Sequence, residues 1–268
     1  MRKLLLPLLS ILLFTACQKE VTTTKEQEEI AGASANKLSK ITVCHYDPVT
    51  STSKTIQVDQ SALAGHLGHG DVEGECTTTI CDQVWMVKNL DVDHYRNGDP
   101  IPEVTNPTEW AALTTGAWCY YENTSTNGTR YGKLYNWYAV HDPRGLAPIG
   151  WHVPTTTEWF ILSICLGGFN EPIAGGKMKS VGTIEAGTGL WREPNTDATN
   201  SSGFTGLPGG LRILDGSFEN IGDLGVWWSS EEYSSTYIHF LHHNSGDFSL
   251  ANADNTKQSG ASVRCLRD

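Results

Sequence analysis

A short apolar run lies near the start of the chain, from residue 4 to residue 16, and it follows the positive residues Arg2 and Lys3. A helix that crosses a bilayer needs about 20 apolar residues, so this run is too short to span one. The positive start and the brief apolar run predict a secretion signal over residues 1–16. Residues 17–40 contain no aromatic side chain and few large apolar ones, which predicts a flexible tether.

The next segment, residues 41–79, shows strand-like runs at 41–46 and 53–59. Ser61 then has the position of a cap for a short helix over residues 62–67. A segment of fewer than about 40 residues buries too little apolar surface to be stable alone. Because Cys44 and Cys76 bracket this segment, we predict a small module over residues 41–79 that a disulfide holds together.

From residue 80 onward, short apolar runs alternate with Gly, Asn, Ser and Pro. Asn106 precedes Pro107, and this pair predicts the capped start of a helix. Thr155 and Glu158 have the spacing of a capping box and predict a second helix, which ends at Leu166 before two glycines.

The remaining pattern of this region is that of short strands and loops. Strand-like runs occur at residues 226–228, 236–242 and 261–266, and residues 182–216 are predicted to form a long loop. Two short helices, short strands and long loops predict an α+β domain over residues 80–268.

Charge and motifs exclude several classes of function. The formal net charge is −11 at pH 7, and no basic cluster interrupts it. Phosphate binding needs clustered Lys and Arg, so nucleic acid is not expected as a partner. The chain lacks a nucleophile-elbow motif, a dinucleotide-binding glycine pattern and a phosphate loop, so we do not expect an enzyme.

The chain has seven cysteines, and the oxidising compartment that a secretion signal implies favours disulfides over thiols. The segment Phe14-Thr15-Ala16-Cys17 resembles the lipobox of bacterial lipoproteins, which implies that Cys17 carries lipid and anchors the chain to a membrane. Six cysteines then remain, and sequence alone allows fifteen pairings. The pairs that we expect are Cys44 with Cys76, Cys119 with Cys265, and Cys81 with Cys165, with a buried thiol at Cys165 as the alternative.

The residues after Cys17 bear on location. Gln18-Lys19-Glu20 is similar to the starts of lipoproteins that are moved to the outer leaflet of the outer membrane. This similarity predicts an outer-membrane, lipid-anchored protein at the cell surface, and the alternative is an anchor that faces the periplasm.

A group of histidines lies within the small module. Cys44-His45, then His66-Leu67-Gly68-His69-Gly70-Asp71, then Cys76 resemble a recurring motif of secreted bacterial proteins for which no activity is implied. Imidazole nitrogens and a carboxylate form a donor set that zinc accepts. We therefore predict a metal site, with structural, hydrogen-bonded histidines as the equal alternative. The candidate ligands are His45, His66, His69 and Asp71.

The large domain resembles the Fibrobacter succinogenes major paralogous domain family along nearly all of its length. The matching segments include residues 83–102 (QVWMVKNLDVDHYRNGDPIP), 131–159 (YGKLYNWYAVHDPRGLAPIGWHVPTTTEW), 195–212 and 262–268 (SVRCLRD). The resemblance implies a C-type-lectin-like fold related to that of the formylglycine-generating enzyme, and an extracellular setting. It implies no defined activity, and Cys265 stands alone where that enzyme has a cysteine pair.

One short segment suggests a ligand site. Glu193-Pro194-Asn195 resembles the calcium- and sugar-binding Glu-Pro-Asn of C-type lectins, and oxygen ligands close together are what calcium needs. A structural calcium, or none, is the alternative. The candidate ligands are Glu193, Asn195, Asp197 and Asn200.

The tryptophans divide into two predicted groups. We expect a buried core from Trp137, Trp151, Trp159 and Trp227, and an exposed aromatic platform from Trp191, Trp228, Tyr233 and Tyr237. Together these patterns predict a surface lipoprotein with a lectin-like binding domain that acts in adhesion or in binding a glycan or a protein. The alternative is a non-catalytic structural or scaffold component of the cell envelope.

Overall fold

The computed structural model describes residues 40–268 except 48–51, 69–70, 169–172, 233–235, 243, 245 and 253–256. Residues Lys40–Asp268 form one compact unit. The signal over residues 1–16, Cys17 and nearly all of the tether lie outside the described residues and stay predictions. No helix within the described part combines the length and apolar character that a bilayer crossing requires.

The secondary structure is mixed α+β and is built from short elements. The helices within the described residues are α1 (Gln60–Gly68), α2 (Pro107–Ala111), α3 (Ser125–Tyr131), α4 (Trp137–Val140), α5 (Thr156–Leu166) and α6 (Ala174–Met178), with one 3₁₀ turn at Tyr121–Asn123. The first strands are β1 (Ile41–Asp47), β2 (Thr52–Val58), β3 (Val72–Glu73), β4 (Thr77–Ile80), β5 (Gln83–Met86), β6 (Trp118–Cys119) and β7 (Leu134–Tyr135). The later strands are β8 (Trp151–His152), β9 (Gly209–Arg212), β10 (Phe218–Ile221), β11 (Leu224–Glu232), β12 (Thr236–His242), β13 (Phe248–Asn252) and β14 (Leu266–Arg267).

These strands make several small sheets. Within the described residues the strand orders are β2-β1-β3, β4-β5-β14-β8, β6-β7, β10-β9 and β11-β12-β13. The four-stranded sheet joins the start of the large domain to its end, because β5 pairs with β14, and β8 adds to the other edge of β14. The two ends of the domain are therefore held together by backbone pairing.

The small module has the predicted elements. β1 and β2 pair antiparallel from Ile41 with Val58 to Asp47 with Thr52, and β3 adds to the other edge of β1. α1 follows β2 and is longer at both ends than the predicted helix over residues 62–67. Cys44 and Cys76 are joined by a disulfide, as the bracketing positions predicted.

The two predicted helices of the large domain are both present. The Asn106 side chain accepts a hydrogen bond from the Glu109 backbone at the start of α2, and a complete capping box joins Thr155 and Glu158 at the start of α5. α3, α4 and α6 were not predicted. Each has at most seven residues, and α3 and α6 contain glycine, so the local helix signal in their sequences is weak.

The core follows from the alternation of side chains along β11. Trp227 and Trp228 are adjacent and fully buried, and they point into different core clusters because successive strand residues face opposite ways. The Trp227 indole donates to the Asn89 side chain at 2.9 Å, and the Trp228 indole donates to the Tyr135 carbonyl at 2.8 Å. β11 is thus covered by apolar packing on both faces.

The strand predicted over residues 261–266 forms only in part. Gly260, Ala261 and Ser262 make single bridges to Arg212, Tyr135 and Trp227 in turn, and a ladder begins only at β14. This segment passes between three different partners, so no single neighbouring strand runs beside it long enough to form a continuous sheet.

The second observed disulfide joins Cys81 to Cys165, which confirms one of the expected pairings. The expected pair of Cys119 with Cys265 is wrong, because both are free, buried thiols. The cause lies in β6, where Trp118 faces the cluster that contains Cys265 while Cys119 faces a different one with Trp110 and Leu134. Burial raises the pKa of each thiol to about 12.

Candidate functional site

Three of the four predicted metal ligands come together in the small module. His45 from β1 and His66 from α1 each donate through Nδ1 to Oδ2 of Asp71, at 2.8 Å and 2.7 Å. The two imidazole rings meet edge to face, with centroids 5.5 Å apart. The Asp71 side chain is fully inaccessible, whereas those of His45 and His66 are 27% and 21% exposed. His69 lies outside the described residues.

A row of charges leads from this cluster into the large domain. Lys88 Nζ lies 3.9 Å from Oδ1 of Asp71 and also acts electrostatically on Asp91. Burial lowers the pKa of Lys88, and the two carboxylates oppose that change. Burial also raises the pKa of Asp91, against the opposing effect of Lys133. Charges of alternating sign thus lie close together in a partly desolvated region.

An aromatic side chain is held firmly at the end of this row. Lys133 donates to Oδ1 of Asp91 at 2.7 Å and to the Tyr120 hydroxyl at 3.2 Å, and it lies over the rings of Tyr120 and Trp118. A side chain at Gly128 would collide with the Tyr120 ring, so α3 packs directly against that ring. Tyr120 is half-buried, and its contacts fix the orientation of its ring.

His45 and Asp71 of the cluster line one open cleft of about 1590 Å³, together with the charge row and Tyr120. Its lining includes His45, Asp71, Lys88, Asp91, Tyr120 and Trp151. Small-molecule pockets are typically about 300–1,000 Å³. The cleft is therefore large enough for an extended ligand, such as several units of a polymer.

The predicted aromatic platform is wrong for both of its tryptophans. Trp191 and Trp228 are fully buried. The Trp191 indole donates to Ser180 and to the Gly206 carbonyl, both at 3.1 Å, so its polar edge is used inside the protein. Tyr233 lies outside the described residues, as does the side chain of Tyr237. The predicted core tryptophans Trp137, Trp159 and Trp227 are buried, and Trp151 is half-buried at the cleft.

Two of the four predicted calcium ligands, Asn195 and Asn200, make side-chain hydrogen bonds within the protein, although Oδ1 of Asn195 has no partner among the described residues. The Asn195 amide donates to the carbonyls of Ser180 and Gly182, and Asn200 both accepts from and donates to Thr205. Glu193 and Asp197 are exposed. The two asparagines therefore act as braces of the loop, and calcium at these four residues stays a prediction.

The sequence did not single out Lys88, Asp91, Tyr120 or Lys133. Tyr120 belongs to the aromatic-rich segment 118–121, which could have indicated a binding surface. An aromatic run does not show which of its rings lies at the surface. Asp91 and Lys133 are 42 residues apart, so nothing local indicates that they form an ion pair.

Comparison with known proteins identifies one family. The sequence model of the Fibrobacter succinogenes major domain matches residues 78–267, which is more than half of the chain. No curated protein and no solved structure matches the chain. The matched region contains both predicted helices, the Cys81–Cys165 disulfide and the Tyr120 side of the cleft. The chain therefore belongs to the Fibrobacter succinogenes major domain family.

Proposed function

We propose that this protein is a non-catalytic, lipid-anchored binding protein of the bacterial cell surface, and that its cleft binds a glycan. The observation that carries the proposal is Tyr120, a half-buried residue with an oriented ring that lines a cleft of about 1590 Å³ beside paired charges. Sugar rings have apolar CH faces that stack on aromatic rings, while their hydroxyl groups need polar partners. Tyr120, Asp91 and Lys133 supply both kinds of contact.

The proposed fold of the large domain is a lectin-like one. Support comes from the mixed α+β architecture, the pairing of β14 with the early strand β5, and the long, braced segment between α6 and β9. This fold would present irregular loops on a rigid frame, which suits a binding protein.

The proposed setting is the outer membrane, with the anchor at Cys17. The support is the short apolar run before Cys17 and the two observed disulfides, which persist in oxidising compartments. Replacement of Cys17 by Ser is expected to move the protein from the membrane fraction to the soluble fraction. Digestion of intact cells by added protease then tests surface exposure, and a fully protected protein would contradict it.

A glycan array tests the binding role. Full-length protein in detergent is expected to bind a subset of glycans, and Tyr120→Ala is expected to weaken that binding by about 5- to 150-fold, since stacking on an aromatic ring contributes about 1–3 kcal/mol. Tyr138→Ala is the matched control, because Tyr138 is also half-buried but does not line the cleft. Equal losses in both variants, or no binding by the wild type, would contradict the proposal.

A scaffold role in the cell envelope is the second candidate. It is favoured by an apolar patch on α5 and the segment after it, where Phe160, Ile161, Ile164 and Ile173 are 46–55% exposed. Replacement of Ile161 and Ile164 by Glu is expected to abolish co-purification of one envelope protein if the patch is an interface. Loss of co-purification with glycan binding unchanged would favour the scaffold role over the cleft.

A further inference from the structure

The His45–His66–Asp71 cluster lies in a part of the fold that has little apolar core. Among the described side chains of residues 40–76, the buried apolar ones are Val43, Cys44 and Val58. None of the nine residues of α1 is buried. Helical order in a short segment usually comes from packing of an apolar face. Among the described residues, polar and covalent links are therefore the main candidates for what positions α1.

Those links converge on one buried carboxylate. Asp71 begins the segment that leads into β3, and its side chain receives one imidazole from β1 and one from α1. A carboxylate removed from solvent is costly unless charged or polar partners compensate it. Two imidazoles and a carboxylate from three separate elements are thus brought to one point.

We propose that His45, His66 and Asp71 bind one Zn²⁺ ion, which fixes α1 against β1 and closes one wall of the cleft. One donor atom from each residue lies within 4.8 Å of the other two. Tetrahedral zinc with ligands at about 2.0–2.1 Å separates its donor atoms by about 3.3 Å. Each imidazole would therefore recede from Asp71 Oδ2 by about 0.5 Å, and the widest donor pair would close by at most about 1.5 Å. Nitrogen and carboxylate oxygen donors together match the preference of zinc.

Access to the site is consistent with metal binding. His45 and Asp71 line the open cleft, and the His45 and His66 side chains are 27% and 21% exposed, so an ion can reach both imidazoles without unfolding, while the Asp71 side chain has no exposure. Metal binding would add folding free energy in a module that has a disulfide but few buried side chains.

A zinc titration of the full-length protein, stripped with a chelator and carrying a tag without histidine, tests this proposal. We expect one Zn²⁺ per wild-type chain and a Tm that rises with zinc concentration, because a ligand that binds only the folded state stabilises it. His66→Ala is expected to weaken zinc binding by more than about 100-fold, beyond the 10–100-fold effect of losing an orienting partner.

His94→Ala is the matched control, because His94 has an aspartate, Asp93, at 2.6 Å but is exposed. Equal zinc affinity in the wild type and in His66→Ala, or equal losses in His66→Ala and His94→Ala, would overturn the proposal. If His66→Ala does not fold, the wild-type titration decides alone, since an absence of zinc binding and of a Tm shift refutes it. No glycan is present, so the outcome is independent of the proposed binding role.

Discussion

At the scale of single residues, two buried side chains that carry nitrogen atoms differ in how far those atoms are hydrogen-bonded. Arg264 is fully buried, and its guanidinium donates to the Asn89 side chain and to the carbonyls of Met86 and Phe204. His239 is equally buried, yet neither of its ring nitrogens has a hydrogen-bond partner among the described residues. It stacks on Phe248 and packs against Trp159 instead, so Arg264 joins segments while His239 only fills space.

Replacing His239 by Leu is expected to stabilise the protein. The change removes a buried, unsatisfied polar group, which is worth about 1–3 kcal/mol. Burial lowers the pKa of His239 to about 3, whereas the unfolded chain binds this proton below about pH 6.5. The free energy of unfolding of the wild type therefore falls as pH decreases from 6.5 towards 3, and the loss is about 2 kcal/mol at pH 5. His239→Leu should not lose this stability at low pH.

Urea denaturation at pH 5 and pH 7.5 measures this effect. His94→Leu is the control, because His94 is exposed and its loss is expected to change stability by less than about 0.5 kcal/mol. A stability gain for His239→Leu that is the same at both pH values would contradict a neutral, desolvated imidazole.

At the scale of elements, α5 shows how local and distant contacts combine. Its Trp159, Leu162 and Leu166 side chains are buried, as their spacing indicates. Its first turn is held by the capping box, and Glu158 also accepts from Nε2 of His152, whose Nδ1 donates to Asp268 at the end of the chain. The start of this helix is therefore connected to both β8 and the carboxyl terminus.

Removal of the capping hydroxyl tests the contribution of this local contact. Thr155→Ala is expected to lower the free energy of unfolding by about 1 kcal/mol, because the Glu158 backbone N–H loses its acceptor. Thr157→Ala, an exposed site in the same first turn, is expected to have little effect. Chemical denaturation of both variants measures the difference, and equal effects would rule out the cap as the cause.

At the scale of the whole molecule, covalent links and shared core clusters hold together segments that are far apart in sequence. The Cys81–Cys165 disulfide closes a span of 84 residues and ties the β4–β5 turn to the end of α5. Cys119 and Cys265 remain thiols in separate clusters. The cross-link thus acts across the domain, whereas the two thiols only fill space in the core.

Loss of this disulfide is expected to reduce stability strongly. The loop-entropy model gives about 4–5 kcal/mol for a loop of this length, as an upper value, for the double variant Cys81→Ser, Cys165→Ser. Cys119→Ser is the matched control for losing a buried sulfur atom, with an expected cost of about 1 kcal/mol. Thiol titration of the denatured protein provides a check, since Cys119→Ser should lower the count by one and Cys81→Ser alone should raise it by one.

The sequence alone determined features that depend on near neighbours or on residue type. The caps at Asn106 and Thr155 need only three following residues, and the hairpin with its Cys44–Cys76 bridge lies within one short segment. The donors His45, His66 and Asp71 could be chosen for their chemistry, although their contacts could not be seen.

The tertiary structure alone decided the burial of Trp228 and Trp191. Trp228 is buried because β11 has packing on both sides, and Trp191 because Ser180 and Gly206 close around its indole. Such burial arises from segments that lie far apart in the chain, as does the ion pair of Asp91 with Lys133 that borders the cleft. The residue type determines the chemistry of a side chain. Its burial depends on neighbouring residues, which come together only when the chain folds.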